Sequence, residues 1–396
     1  MYNFPTLAKS ERVREPSILY VVPDNKKWHS EFVFDNEIKE DGDLYLCSVF
    51  TCGYPDFLEF SKKIGRKRII VGGYHPSLCP KDFLGYASKI VVGFGNNIDE
   101  IIESEGEGII KGKLKFNYMD RSVFPLNKLK EAWYADIFPG QKFFSINTFL
   151  GCPFPCDFAD NCYVFSTYGK RKIFYPLDYL KDEIKILNQY QYDNLCIRDE
   201  GFFIHPQFKE IVKLLSKTNK RIYSISEIEG VISEDIVKFL KANNWFYLTF
   251  GFNIKEKYTK NRELVRVIEL AHKYGLNIHF SLIISEPPKD RADDYFENIL
   301  KILFKYMPTS IELYFWTPYP GTKSFKKYRQ KLGKNDYERL RDGVPKFQNR
   351  KSADCYRKKL ANLQIKYYQS KEYAKMRNFN CGDNLNLFIS KLEKNF

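Results

Sequence analysis

The sequence predicts an α/β protein with three parts. A small N-terminal Rossmann-like parallel sheet comes first, then a partial (β/α)6 barrel, then a helical C-terminal tail. Three observations carry this expectation. Short apolar runs rich in β-branched residues alternate with amphipathic stretches through most of the chain, the pattern of parallel sheets with covered faces. Hydrophobic residues make up 44% and aromatics 17%, which supports sizeable cores and excludes general disorder. The 396 residues are roughly two to three times an ordinary domain, so two domains and a tail fit the length.

The small sheet is expected within 1–115. Apolar runs at 18–23, 43–50, 68–73 and 89–95 read as strands, with helices over 55–64 and from 97. Two of these strands end in glycine: Gly72 and Gly73 after one, Gly93 and Gly95 after the other. Open parallel sheets bind ligands at such carboxyl ends, although a tight turn alone explains any single glycine. Residues 116–141 form the core of a linker. Around it, 105–145 hold a Lys-rich strand-like piece, Pro125, and an aromatic stretch from Trp133 to Phe138.

The second domain is expected over 142–325. Strand-like runs at 143–149, 194–198, 221–225, 246–250, 277–284 and 310–316 alternate with helical patterns at 177–190, 206–218, 233–243, 261–274 and 292–306. Six consecutive right-handed units build either a partial barrel or a large open sheet. The tail, 326–396, is rich in Lys, Tyr and Asn. An amphipathic helix is expected over 358–373, where cations interleave with Tyr. It either packs on the barrel or contacts nucleic acid.

Lys and Arg total 63 against 49 acidic residues, a net charge of +14. That balance suits a nucleic acid or a phosphorylated metabolite, and equally a Lys-biased composition with no anionic partner. No apolar segment resembles a leader, and no run of about 18 apolar residues could span a membrane. The nine cysteines are too scattered for a disulfide scaffold. A cytoplasmic protein is expected.

Three cysteines crowd the segment Phe149-Leu-Gly-Cys-Pro-Phe-Pro-Cys-Asp-Phe-Ala-Asp-Asn-Cys162, directly after the first strand of the second domain. In an α/β barrel that is the catalytic end. Structural zinc wants four ligands, often as two CxxC pairs, and no CxxC is present. A thioredoxin-like pair needs CxxC too. Three unligated thiols in a polar, Pro-rich loop are a third reading. An iron–sulfur cluster held by three thiolates, with one iron left open, fits the segment best.

A cysteine loop after the first strand of a six-unit domain resembles the radical S-adenosylmethionine superfamily. Cys152 and Cys156 match that family's CxxxC spacing, and Phe158 matches its aromatic position. The third family position holds Ala159, so Cys162 is left to supply the third thiolate in a CxxxCxxxxxC loop. Ile197-Arg-Asp-Glu-Gly-Phe-Phe203 resembles the family's acidic segment, which implies that Asp199 and Glu200 bind the amino group of S-adenosylmethionine. By the same resemblance Glu227 faces the methionine moiety and Asn253 lies near the ribose. Pro318-Tyr-Pro-Gly-Thr322 resembles the segment that closes the domain in cobalamin-dependent relatives.

Val71-Gly-Gly-Tyr-His-Pro-Ser77 and Val92-Gly-Phe-Gly95 resemble the turns of cobalamin-binding domains fused to radical enzymes. This implies Gly72, Gly73, His75 and Gly93 as cobalamin-side residues and makes cobalamin a candidate cofactor. The implied chemistry is one-electron cleavage of S-adenosylmethionine at a 4Fe–4S cluster, with a flavodoxin- or ferredoxin-like reductant. Its outcome is cobalamin-dependent methyl transfer, a rearrangement, or another radical-initiated modification. Phe202, Phe203, Tyr247, Phe252 and Trp316 are candidates for keeping the radical dry. The competing reading is a non-enzymatic degenerate barrel that binds nucleic acid, its cysteine loop empty or holding a structural metal.

Overall fold

A computed structural model describes residues 43–116, 143–152, 154, 162–225, 233–253, 262–284, 292–316, 318–328 and 350–376. The strand expected at 18–23, most of the linker, Cys156, Phe158, Ala159 and Glu227 lie outside them. Two compact units are present. One joins 1–132 with 151–172 and 318–341; the other joins 133–150, 173–317 and 342–396.

The first unit is built on a four-stranded sheet in chain order: β1 (Tyr45–Ser48), β2 (Ile69–Gly72), β3 (Lys89–Gly93) and β4 (Gly108–Gly112). All of its pairs are parallel. Alternation along the strands divides the core in two, because successive side chains leave a strand on opposite faces. Tyr45, Cys47, Ile69, Val71 and Ile90 pack with Phe57 and Ile64 of α1 (Tyr54–Ile64). Leu46, Ile70 and Val91 pack with Ile98 and Ile101 of α3 (Ile98–Glu103). Between these helices in sequence lies the short α2 (Tyr74–Leu78).

Lys89 is buried, and its Nζ donates to the carbonyls of Ile101 (2.6 Å), Ile102 (3.1 Å) and Ser104 (2.6 Å). A cation thereby satisfies the carbonyls at the end of α3, where the helix dipole is negative. Burial lowers its pKa. The Lys-rich piece assigned above to the linker is β4, an edge strand whose apolar run Lys111 interrupts and whose Ile109 is exposed.

The second unit holds a six-stranded parallel sheet in the order β12-β11-β10-β9-β8-β5. Its strands are β5 (Phe143–Ile146), β8 (Asn194–Ile197), β9 (Arg221–Ile225), β10 (Trp245–Asn253), β11 (Asn277–Ile284) and β12 (Ser310–Phe315). A two-residue antiparallel ladder, β6 (Phe149–Leu150) with β7 (Ile173–Phe174), adjoins β5 in sequence. Five helices lie between the strands: α5 (Leu177–Leu187), α6 (Phe208–Ser216), α7 (Glu234–Ala242), α8 (Arg262–Lys273) and α9 (Ala292–Tyr306). Each lies within one expected helical stretch, because apolar residues recur at three-and-four spacing and form a buried stripe.

The tail forms α11 (Arg350–Tyr368) and α12 (Lys371–Met376), after a short α10 (Lys323–Tyr328). Its tyrosines pack on the sheet. Tyr367 and Tyr373 donate to the carbonyls of Pro308 (2.5 Å) and Thr309 (2.7 Å), and Tyr368 accepts from the Ile311 amide at 2.8 Å. These rings are buried, so they are not available to stack on bases as a nucleic-acid surface requires. Of the two readings of the tail, packing on the sheet is the one observed. No helix among the described residues is long and apolar enough to cross a membrane.

Candidate functional site

The site begins where β5 and β8 end. Their parallel register pairs Ile146 with Ile197, and the Arg198 amide continues it by donating to the Ile146 carbonyl at 3.0 Å. The next residue on each strand turns inward to the other. Asp199 is 1% exposed, and its carboxylate accepts the Thr148 amide at 2.8 Å, the Phe149 amide at 3.3 Å and the Asn147 side-chain amide at 3.2 Å. The Thr148 hydroxyl donates to it as well. Burial pushes its pKa up to about 6, against the pull of these donors.

Glu200 follows and is half-buried. Burial lifts it to about 7, with Arg198 opposing and Asp199 adding to the rise. Of the two carboxylates expected to meet an amino group, Asp199 is thus occupied by its own chain. Thr148 and Asn147, its partners, carry no sequence signal of their own. Asn253 ends β10.

In the first unit, Gly151 precedes Cys152 with φ +101°, and a Cβ there would lie 2.0 Å from the Arg171 carbonyl oxygen. Only glycine fits so close to backbone. Cys152 is buried, and Cys162 caps α4 (Tyr163–Tyr168), its sulfur accepting the Phe165 amide at 3.4 Å. Both cysteines belong to one apolar cluster with Tyr74, Val164, Phe50, Phe154, Tyr163 and Tyr168. The Tyr74 and Tyr163 rings meet edge-on at 4.3 Å, and Phe94 stacks on Tyr168 at 5.0 Å. Tyr163 also meets Tyr319 of the Pro-Tyr-Pro-Gly-Thr segment at 5.2 Å. Gly321 lies so close to Leu78 that a Cβ would stand 2.8 Å from its carbonyl oxygen.

The glycine turns are tied together by Ser77. Its hydroxyl donates to the Gly73 carbonyl at 2.6 Å and accepts the Gly93 amide at 3.0 Å. Gly72 ends β2, and a Cβ on Gly73 would lie 2.7 Å from Ser48 Oγ, so this glycine permits close packing on β1. At Gly93 and Gly95 nothing stands within 4 Å of the position a Cβ would take. His75 points away into the core, 1% exposed, with Nε2 3.2 Å from Asp82 Oδ2.

Two of the aromatics expected to shield a radical have other surroundings. Phe202 stacks on Trp245 at 5.4 Å, and the Tyr247 hydroxyl bonds Ser310, the first residue of β12. Tyr247 thus belongs to the amino end of the sheet, away from the strand ends where parallel sheets do chemistry.

No protein-family profile matches the chain. It is 25% identical to bacteriochlorophyllide d C-8(2)-methyltransferase of Chlorobaculum tepidum over 76% of this chain and 73% of that protein. It is 24% identical to hopanoid C-3 methylase of Methylococcus capsulatus over 49% of this chain, spanning 38% of that protein. The fold is similar to that of the radical S-adenosylmethionine methyltransferase TsrM from Kitasatospora setae. The TsrM structure with cobalamin and a [4Fe-4S] cluster gives a TM-score of 0.50 at 13% identity, over 73% of this chain and 67% of that one. With tryptophan substrate and a S-adenosylmethionine analogue bound, the values are 0.52 and 14%, over 73% and 66%. In sequence the chain is thus similar to two methylating enzymes, and in fold to a radical S-adenosylmethionine methyltransferase whose structures hold cobalamin and a [4Fe-4S] cluster.

Proposed function

We propose that the chain transfers a methyl group to carbon by radical chemistry, with a 4Fe–4S cluster held by Cys152, Cys156 and Cys162. In this reading the six-stranded sheet is the partial (β/α)6 barrel, and the four-stranded sheet is a Rossmann-like domain that takes cobalamin. One observation carries it: two of the three cysteines share a side-chain cluster with Tyr74 of the Gly-Gly-Tyr-His turn. The segment that resembles a cluster loop and the turn that resembles a cobalamin loop therefore pack as one body.

The donor chemistry suits the cluster. Soft thiolates favour iron–sulfur binding, and an amide N–H directed at sulfur, as at Cys162, stabilises the thiolate. The open space at Gly93 and Gly95 suits a flat group approaching the carboxyl edge of the sheet. Gly72, Gly73 and Gly93 would line the cobalamin side in this reading, while His75 is buried and bonded to Asp82. When bound, the cluster supplies an electron to S-adenosylmethionine and cobalamin carries the methyl group.

The chain's own residues bind, orient and keep water out. The Tyr74, Tyr163, Tyr168 and Phe50 rings exclude water around the sulfurs. Asp199 is a positioning residue that fixes Asn147 to Phe149, just ahead of the cysteine segment. Glu200 is the carboxylate left to receive the S-adenosylmethionine amino group. Glu227 and Asn253 are assigned to its methionine and ribose by resemblance. A bacteriochlorophyllide, a hopanoid and tryptophan, the compounds linked to the similar proteins, are all bulky ring systems. A ring-bearing acceptor is the class proposed here, ahead of a nucleic acid or a phosphorylated metabolite. A flavodoxin- or ferredoxin-like protein supplies electrons.

The test uses the full chain with cluster and cobalamin loaded anaerobically, reduced, and given methyl-labelled S-adenosylmethionine. Label appearing on cobalamin, with release of S-adenosylhomocysteine, supports the proposal. S-adenosylmethionine left intact by the loaded, reduced enzyme would overturn it.

A further inference from the structure

The residues after the Gly-Gly turn form a second constellation in the first unit, separate from the cysteine loop. Cys79 follows α2 directly, and a 3-10 turn, Pro80–Phe83, comes next. Ligand-capable atoms of His75, Cys79 and Asp82 all lie within 4.8 Å of one another. The His75 and Asp82 members are 3.2 Å apart.

The backbone holds all three in place. The Cys79 amide donates to the His75 carbonyl at 2.7 Å, and the Asp82 amide donates to the Cys79 carbonyl at 3.1 Å. Tyr54 ties the turn to α1 through its hydroxyl, which donates to the Asp82 carbonyl at 2.8 Å. The imidazole itself is wedged between the rings of Tyr54 (4.9 Å) and Phe83 (5.2 Å). One donor is therefore rigid and buried, while Cys79 and Asp82 are half-exposed and leave a path for an ion.

We propose that His75, Cys79 and Asp82 bind a zinc ion, with water in the fourth position. A nitrogen, a sulfur and a carboxylate oxygen form a mixed donor set that suits this borderline-soft metal, and three protein ligands plus water is an ordinary zinc arrangement. Bonds of about 2.0–2.3 Å require the widest donor pair to close by roughly 1 Å, within reach of the half-exposed side chains. Binding releases the Cys79 thiol proton to solvent. The ion would lock α2 and the following turn, and so fix Tyr74, the residue beside His75, against α4.

This site does not depend on the cysteine loop, and the test keeps the two apart. The full chain is purified anaerobically, exposed to zinc chloride with a weak competing chelator, and analysed for zinc and iron per chain. One zinc is expected beside the iron. Cys79→Ser and Asp82→Asn should each lose the zinc and keep the iron, whereas Cys152→Ala should lose iron and keep zinc. In the cluster-free Cys152→Ala background, cobalt should give a thiolate charge-transfer band that Cys79→Ser abolishes. Zinc absent from the wild-type chain, or retained in either of the two site variants, overturns the proposal. So does zinc lost from Cys152→Ala, which would assign it to the cysteine loop.

Discussion

Asp199 and Thr148 are 51 residues apart in sequence and joined by hydrogen bonds from both the amide and the hydroxyl of Thr148 to one buried carboxylate. The link closes the carboxyl ends of β5 and β8. Replacing Asp199 with Ala strands several buried donors, and buried donors without acceptors are costly. A loss of about 3 kcal/mol or more in urea unfolding is expected, with lowered iron content. Asp199→Asn keeps one acceptor and should lose less of both.

The same corner has a pH signature. Burial raises Asp199 to about 6 and Glu200 to about 7, above their unfolded values near 4. The folded state therefore holds these protons more tightly than the unfolded state. The stabilisation is fully present below about pH 4 and is lost as pH rises through about 6 to 7. Urea midpoints measured from about pH 5 to pH 8 should show wild type losing stability relative to Glu200→Gln as pH increases. A constant difference would show that Glu200 is not shifted.

Gly151 offers a sharper perturbation of the cysteine segment. Its positive φ and its approach to the Arg171 carbonyl leave no space for a side chain. Gly151→Ala should destabilise the chain by more than about 1 kcal/mol. It should also reduce iron per chain, because Cys152 is its neighbour. Calorimetry and iron analysis check the two effects.

Tyr74 and Tyr163 join the Gly-Gly turn to α4. A double-mutant cycle with each tyrosine changed to Ala should give a coupling energy of about 1 kcal/mol beyond the sum of single effects. Additive losses would show that the two segments do not support one another.

Much of this architecture is legible in the sequence, for reasons that differ by element. The helix at Ala292–Tyr306 and the strands Arg221–Ile225 and Asn277–Ile284 match their sequence-based spans because their apolar spacing is unbroken. β4 reads only as a strand-like piece of the linker, because an edge strand shows water one face and Lys111 interrupts its apolar run. The acidic pair after β8 was readable as functional, but nothing local distinguishes a carboxylate that faces a ligand from one that bonds its neighbouring strand. That distinction rests on the register of Ile146 with Ile197. His75 was readable as a turn residue of a cofactor loop. Its partners Cys79 and Asp82 follow four and seven residues on, and it is the turn after α2 that brings the three side chains together. The tyrosines of α11 and α12 resemble a stacking surface in sequence, but their hydroxyls bond β12 and the two residues before it.

The central claim is that the CxxxCxxxxxC segment builds a cluster that engages S-adenosylmethionine. Electron paramagnetic resonance of the reduced full chain tests it most directly, recorded with and without S-adenosylmethionine, for wild type and for Cys162→Ala. The account expects a 4Fe–4S signal in the wild type that shifts when S-adenosylmethionine is added, and loss of that signal in Cys162→Ala. A signal indifferent to S-adenosylmethionine, or one that survives in Cys162→Ala, would contradict it.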